Sequence, residues 1–415
     1  MTKTRQNRGA DKRGAARGDR AVRFEGLEAY RGIAALSVVV FHAYQYSREG
    51  LQLDRFVYEG SKWHTLFHNL DGAVSWFFVL SGFLVFLPFS YAAVSQGSRR
   101  SARSFLIRRA LRILPLYYVA ILVVWGLRYT GSREEWVSLL QHLTFTHVFS
   151  QENLFRIIGP AWSLADEVIF YLMVAGLGPL VYLACRHLNA QGKRAALIGA
   201  SVTALVLLSV GYKWWAYYVA RISEENYPVY FGPLAHLDSF AIGMLLAVIL
   251  AAGWLRFGKL ASALLYLGGV AFLAMSFTLR DTHAAVDLYF YTLCAVAFAM
   301  VLAATVVPLA QEDGRAAFLS WLLGSPVLVY VGLISYSIYM WHEPILLELG
   351  SRGFLMDKDP QFFPQNALVL VVVSVAVAAV SYSLIERPAM RLYQFFDRKH
   401  PKQDTQEEGG GCKSV

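Results

Sequence analysis

The sequence predicts an all-α fold: a polytopic transmembrane helical bundle of about 10 spans, with N- and C-termini cytoplasmic. Three observations lead there. Of 415 residues, 56% are hydrophobic and only 16% charged, whereas soluble domains carry about 25% charged residues. Ten stretches are long and apolar enough for the roughly 20-residue helix that a bilayer core requires. Lysine and arginine concentrate in alternate connecting segments, as cytoplasmic retention of basic flanks demands. This composition argues against a cytosolic enzyme, a disordered scaffold and a disulfide-rich secreted domain.

In chain order, residues 1–24 hold eight Lys/Arg against Asp11 and Asp19 and almost nothing apolar, which predicts a solvated, disordered cytoplasmic tail. No signal-peptide pattern precedes the first span, so that span is expected to be retained. Spans are expected at 27–46, 71–93, 110–128, 161–184, 195–218, 232–252, 261–279, 288–308, 326–349 and 365–385. The second inner segment holds Arg99, Arg100, Arg103, Arg108 and Arg109, with Arg112 opening the third span. Arg186, Lys193 and Arg194, then Arg256 and Lys259, mark later inner segments, while 309–325 adds only Arg315. Outer segments 47–70, 129–160, 219–231, 280–287 and 350–364 are mixed or acidic, and 129–160 is long enough for a short surface helix. Tyr212, Trp214, Trp215, Tyr217 and Tyr218 read as an interfacial aromatic belt, with a sugar-stacking surface as the alternative. Residues 25–390 form the membrane domain, and 391–415, opening with Arg391, a largely disordered cytoplasmic tail. The net charge of +9 gathers in the N-terminal tail and inner segments, so no nucleic-acid partner is expected. Cys185, Cys294 and Cys412 show neither metal-site spacing nor a disulfide framework.

Ionisable side chains inside spans are costly and mark function. In the first span Arg31 and His42 are eleven residues apart, three helical turns plus about 20°, so they share one face about 16 Å apart along the axis. A snorkelling Arg31 and a packed His42 are the bland reading. The fourth span opens with Trp162, Ser163, Asp166 and Glu167, and Ser163 and Glu167 share a face. His236 and Asp238 lie near the outer end of the sixth span, and Tyr336, Trp341 and His342 in the ninth. His42, Glu167, Asp238 and His342 therefore fall at similar depth on four spans, which favours one polar site over scattered structural residues.

These segments resemble acyltransferase family 3, the integral-membrane bacterial O-acyltransferases. The first span, Leu27-Glu28-Ala29-Tyr30-Arg31-Gly32-Ile33-Ala34-Ala35, carries the family's arginine, with His42 following at the family spacing. Phe77-Phe78-Val79-Leu80-Ser81-Gly82 resembles its second-span motif, and Arg108-Arg109-Ala110-Leu111-Arg112-Ile113-Leu114-Pro115 its basic approach to the third. Trp162-Ser163-Leu164 with Glu167 and Phe170-Tyr171, Ser335-Tyr336-Ser337 with Trp341-His342 and Pro344, and Glu386-Arg387-Pro388 complete six motifs in order over about residues 25–390. Glu28 and Tyr30 replace the usual Asp and Leu, Ser75 stands where an Asp often does, and Asp166 and Val168 flank Glu167 atypically. Those departures bear on the acceptor, not the class. Some members carry an appended hydrolase-like domain; none is expected after the tenth span here.

The resemblance implies acyl transfer, acetyl by family habit, from a cytoplasmic acyl-CoA substrate to a hydroxyl of a glycan, glycolipid or small-molecule acceptor. No tightly bound cofactor or metal is implied, and the expected location is the inner or plasma membrane. Arg31, Arg108, Arg109 and Arg112 suit the phosphates of CoA; for the loop arginines the positive-inside signal alone is the bland alternative. His42, with an ordinary imidazole pKa of about 6.5, suits a general base. Glu167 is expected to orient or charge-stabilise it, and His342 to bind acceptor or assist proton transfer. Trp162, Ser163, Asp238, Tyr336 and Trp341 complete the expected substrate contacts. The rival class is a proton-coupled transporter or flippase of a glycolipid or sugar, which also uses intramembrane Glu, Asp and His, although no repeat between halves is visible.

Overall fold

The computed structural model describes residues 26–48, 62–97, 101–310 and 317–398. The expected N-terminal tail, residues 399–415 and most of the first outer segment lie outside the described residues. The described chain is helical throughout, with no strand. Its principal helices are α1 (Leu27–Arg48), α2 (Ala73–Ser95), α3 (Ala102–Arg128), α4 (Ala161–Arg186), α5 (Gln191–Trp214), α6 (Pro233–Ala252), α7 (Lys259–Arg280), α8 (Phe290–Ala310), α9 (Pro326–Leu333), α10 (Ser335–Ser351) and α11 (Phe363–Ser381). A surface helix, Arg133–Leu143, lies in the expected segment. A further helix, Arg387–Arg398, extends order past residue 391, where a tail was expected.

Among the described residues, eight helices are long and apolar enough to cross a membrane. The two expected spans outside that set are the ones that carry Arg31 with His42 and His342. α1 is diluted by Glu28, Arg31, His42 and Arg48. The expected single span 326–349 is divided: Ile334, at φ −95° and ψ 7°, breaks it into α9 and the 17-residue α10. Gly332 stands two residues before the break. There α9 crosses α1, where a Cβ on Gly32 would lie 2.8 Å from the Leu328 carbonyl and one on Gly332 only 1.8 Å from the Glu28 carbonyl. α10 then follows α1, with Gly350 against the Tyr46 ring.

Small residues also set the centre of the bundle. A Cβ on Gly82 would stand 2.0 Å from the Phe240 carbonyl, and one on Gly243 2.1 Å from the Val79 carbonyl. The α2 and α6 backbones therefore touch, the packing that membrane helices use where lipid supplies no hydrophobic drive. Phe83 and Phe240 are fully buried beside that contact. Trp214, Trp215 and Tyr218 are exposed at the end of α5. Below, the end of the bundle that holds Arg108 and Leu27 is the basic end, and the opposite one the far end.

Candidate active site

Two helices that follow one another side by side bring two histidines together. His42 of α1 and His342 of α10 approach at 3.2 Å, Nδ1 to Nε2, with ring centroids 4.8 Å apart. Backbone carbonyls settle which nitrogens carry hydrogen, because a carbonyl can only accept. His342 Nδ1 donates to the Tyr339 carbonyl at 2.7 Å, so the Nε2 of a neutral His342 is a lone pair. His42 Nδ1 lies 2.9 Å from the Val38 carbonyl and therefore also carries hydrogen, shared with that lone pair. In the neutral ring, His42 Nε2 is then left as the proton acceptor. His42 lines a cavity of about 540 Å³ at the far end, together with Asp71, Trp162, His236, Tyr339 and Glu343.

A second cavity, of about 340 Å³, opens at the basic end and is lined by Arg108, Arg109 and Arg112 with Phe89, Phe105 and Met390. Arg109 sits over the Tyr171 ring, 5.4 Å from its centroid. Arg31 has Arg112, Glu167, Tyr171 and Arg109 as its charged and polar neighbours. Arg109 and Arg112 thus link the cavity, which Arg108 also lines, to the buried Arg31. Glu167 lies on their side of the bundle, where its carboxylate accepts hydrogen bonds from Ser81 and Tyr171. Glu386, from the turn after α11, accepts one from Ser337.

Several sequence expectations change in consequence. Glu167 does not hydrogen-bond His42; its Oε1 accepts from both Ser81 and Tyr171, and the Val38 carbonyl and His342 hold the imidazole instead. Asp238 is sealed behind the far-end cavity, bound by Lys213 at 2.6 Å and Thr292 at 2.5 Å. The common depth of His42, Glu167, Asp238 and His342 therefore resolves into one histidine pair and two separate carboxylate clusters. Trp341 turns toward α11, donating to Ser381 at 3.0 Å. Tyr336 donates to the Ile113 carbonyl at 2.8 Å, beside Arg112 rather than beside His42. Trp162 does line the far-end cavity. Ser163 bonds the Tyr339 hydroxyl at 2.7 Å and the Pro160 carbonyl at 3.0 Å.

The sequence reading passed over other residues. Lys213 lines the far-end cavity as a buried cation; a lysine inside an apolar span was the available signal. Asp71, at the edge of a predicted span, binds Arg280 at 3.0 Å and accepts from Tyr291 at 2.9 Å. Glu343, adjacent to His342, accepts the Gly159 N–H at 2.7 Å. Asp166, which the sequence did single out beside Glu167, is buried with neither oxygen paired among the described residues.

Helices that cross a bilayer and yet enclose charged and titratable side chains define a multi-pass membrane protein organised around a polar interior. Within that class the chain belongs to acyltransferase family 3, whose acyltransferase-domain model matches residues 24–386. It is 26% identical over 395 residues to the acyltransferase MdmB of Streptomyces mycarofaciens, covering 90% of this chain and 93% of that protein. It is 26% identical over 384 residues to "Putative peptidoglycan O-acetyltransferase YrhL" of Bacillus subtilis (strain 168), covering 88% of this chain and 54% of the other. A "Putative O-acetyltransferase" of Staphylococcus aureus (strain COL) is 24% identical over 385 residues, 88% of this chain and 56% of its own length. The chain thus spans little more than half the length of these last two relatives. No solved structure matches it.

Proposed function

We propose that the protein is a membrane O-acyltransferase of the inner or plasma membrane that moves a short acyl group, acetyl by analogy with its relatives' names, from acyl-CoA to a hydroxyl. The observation that carries this reading is the His42–His342 pair at the far-end cavity, in which hydrogen bonding through Nδ1 leaves the Nε2 of a neutral His42 as the acceptor. The family membership and the arginine-lined cavity at the basic end support it.

The basic end faces the cytoplasm in this reading. CoA phosphates lie among Arg108, Arg109, Arg112 and Arg31, and the acyl-pantetheine arm points into the bundle toward His42. The acceptor, a glycan, glycolipid or small molecule, enters the far-end cavity from outside or from the outer leaflet. His42 Nε2 takes the hydroxyl proton as the oxygen attacks the thioester carbonyl carbon. The tetrahedral intermediate collapses, the C–S bond breaks, and the proton passes from His42 to the departing CoA thiolate. Charge on the transient imidazolium is met by the Val38 carbonyl and the His342 lone pair, the orienting role that a third group plays in nucleophile–base arrangements.

The test is acetyl transfer from isotopically labelled acetyl-CoA by purified protein in proteoliposomes containing envelope extract. His42→Ala and His42→Gln should lower the rate by about 10²–10⁴-fold, the usual contribution of a general base, with donor binding retained. Wild-type rates in a folded His42→Ala protein would overturn the mechanism.

A further inference from the structure

The far-end cavity carries a charge pattern that the transfer chemistry does not use. Four carboxylates line it, those of Asp71, Glu224, Asp287 and Glu343, against two cations, Lys213 and Arg280. Both cations are already engaged. Arg280 binds Asp71 at 3.0 Å and Asp287 at 2.9 Å, and Lys213 binds Asp238 at 2.6 Å. Glu224 and Glu343 form no ion pair among the described residues. Arg128, whose charge acts on Glu343, donates to the Ile157 carbonyl at 3.2 Å. Glu343 uses Oε2 to accept the Gly159 N–H, and Oε1 accepts no hydrogen bond from a described residue. A Cβ at Gly159 would come within 2.6 Å of Oε1, so glycine is what allows this approach.

Aromatic rings supply much of the rest of the wall, Phe41, Phe155, Trp162, Tyr230, Phe231 and Tyr291, beside small and aliphatic residues such as Val38, Val74 and Ala235. His236 sits among them, 1% exposed, with ring centroids of Trp162 and Tyr291 at 4.9 and 5.1 Å. Neither of its ring nitrogens makes a hydrogen bond of good geometry, the Tyr230 backbone being its nearest polar neighbour. A buried polar group left without a partner is costly, and a ligand that reaches it offsets that cost.

We propose that this cavity recognises an ammonium-bearing acceptor, with Glu343 and Glu224 as its counter-charges and the aromatic wall around Trp162 and His236 as its cation-binding face. Aromatic faces attract cations through their quadrupole, and the half-buried Glu343 acts over a lower effective dielectric than in water, while the exposed Glu224 adds a more weakly acting charge. The two ends of the bundle then sort the substrates by charge: the anionic donor to the arginines, the cationic acceptor to the carboxylates. Naming the ligand an acceptor rests on the proposed function, whereas selection for a cation does not.

The test is binding to the full chain in nanodiscs without acyl-CoA, by calorimetry, of methyl β-D-glucosaminide and methyl β-D-glucoside. These probes share a ring and differ in one ammonium group. The glucosaminide should bind at least about tenfold more tightly, the scale of a desolvated cation–π or ionic contact. Glu343→Gln retains an oxygen for the Gly159 N–H, and together with Glu224→Gln it should erase the preference while the weaker glucoside affinity stays. Equal affinities, no binding of either probe, or an undiminished preference in the folded double variant would each overturn the proposal. Because no donor is present, such a failure leaves the labelled-transfer test of His42 untouched.

Discussion

The pairing of His42 with His342 makes different demands on the two rings. His42 lines the cavity and keeps Nε2 as its acceptor, whereas His342 offers its lone pair only to His42. His342→Ala should therefore lower turnover less than His42→Ala, by about 10–100-fold, with little change in KM for acyl-CoA; steady-state kinetics of both variants checks this. The Lys213–Asp238 pair behaves differently. Asp238→Asn leaves a buried ammonium without its carboxylate, which costs about 3–5 kcal/mol in comparable cases, and a lowered melting midpoint in detergent is the expected result. His42, His342 and Arg31 were legible in the sequence because an ionisable group in an apolar run stands out. Their partners were not. That Val38 supplies a carbonyl to His42, or that Ser81 and Tyr171 engage Glu167, depends on how helices distant in sequence face one another.

At the scale of elements, close backbone contact governs where helices cross. Gly243→Ala would push a Cβ against the Val79 carbonyl at 2.1 Å, and overpacking of this kind costs about 1–3 kcal/mol. A lower thermal midpoint by fluorescence-detected gel filtration is expected, while Gly199→Ala, which meets nothing within 4 Å, should leave it unchanged. The surface helix Arg133–Leu143 adds a pH response. His142 stacks on His147 with centroids 4.0 Å apart. Burial, then the neighbouring His147, lowers the His142 pKa to about 3, and burial lowers that of His147 to about 4, both from 6.5. Both rings are neutral when folded, so the unfolded chain binds more protons between those values and 6.5, and stability falls as pH drops below 6.5. The slope is about 1.4 kcal/mol per pH unit for each histidine. Unfolding midpoints at pH 7 and pH 5 should converge in a folded His142→Gln/His147→Gln variant. The element pattern was readable from apolar length, except at Ile334. Gly332 is the local feature nearest that break, but one glycine in an apolar run does not say that α9 is pressed against α1 there.

Across the whole molecule, positive charge gathers at one end and unpaired carboxylate at the other. Arg109→Gln or Arg112→Gln should raise KM for acyl-CoA by about tenfold with kcat little changed, the signature of lost anion binding, and the wild-type KM should rise with added salt. The class of molecule was legible because composition, apolar spans and six ordered motifs agree. The division of its polar residues between two cavities was not, since helices apolar on nearly every side carry no stripe to say which face turns inward. The central claim is that His42 works as the base of an acyl transfer onto a hydroxyl. It is tested most directly by mass spectrometry of envelope glycans, lipids and secreted small molecules from cells with wild-type protein, with His42→Ala, and with none. An acyl mass increment present only with wild-type protein is the predicted result. An identical increment with the folded His42→Ala protein, or no acylated species that depends on the protein at all, would contradict it.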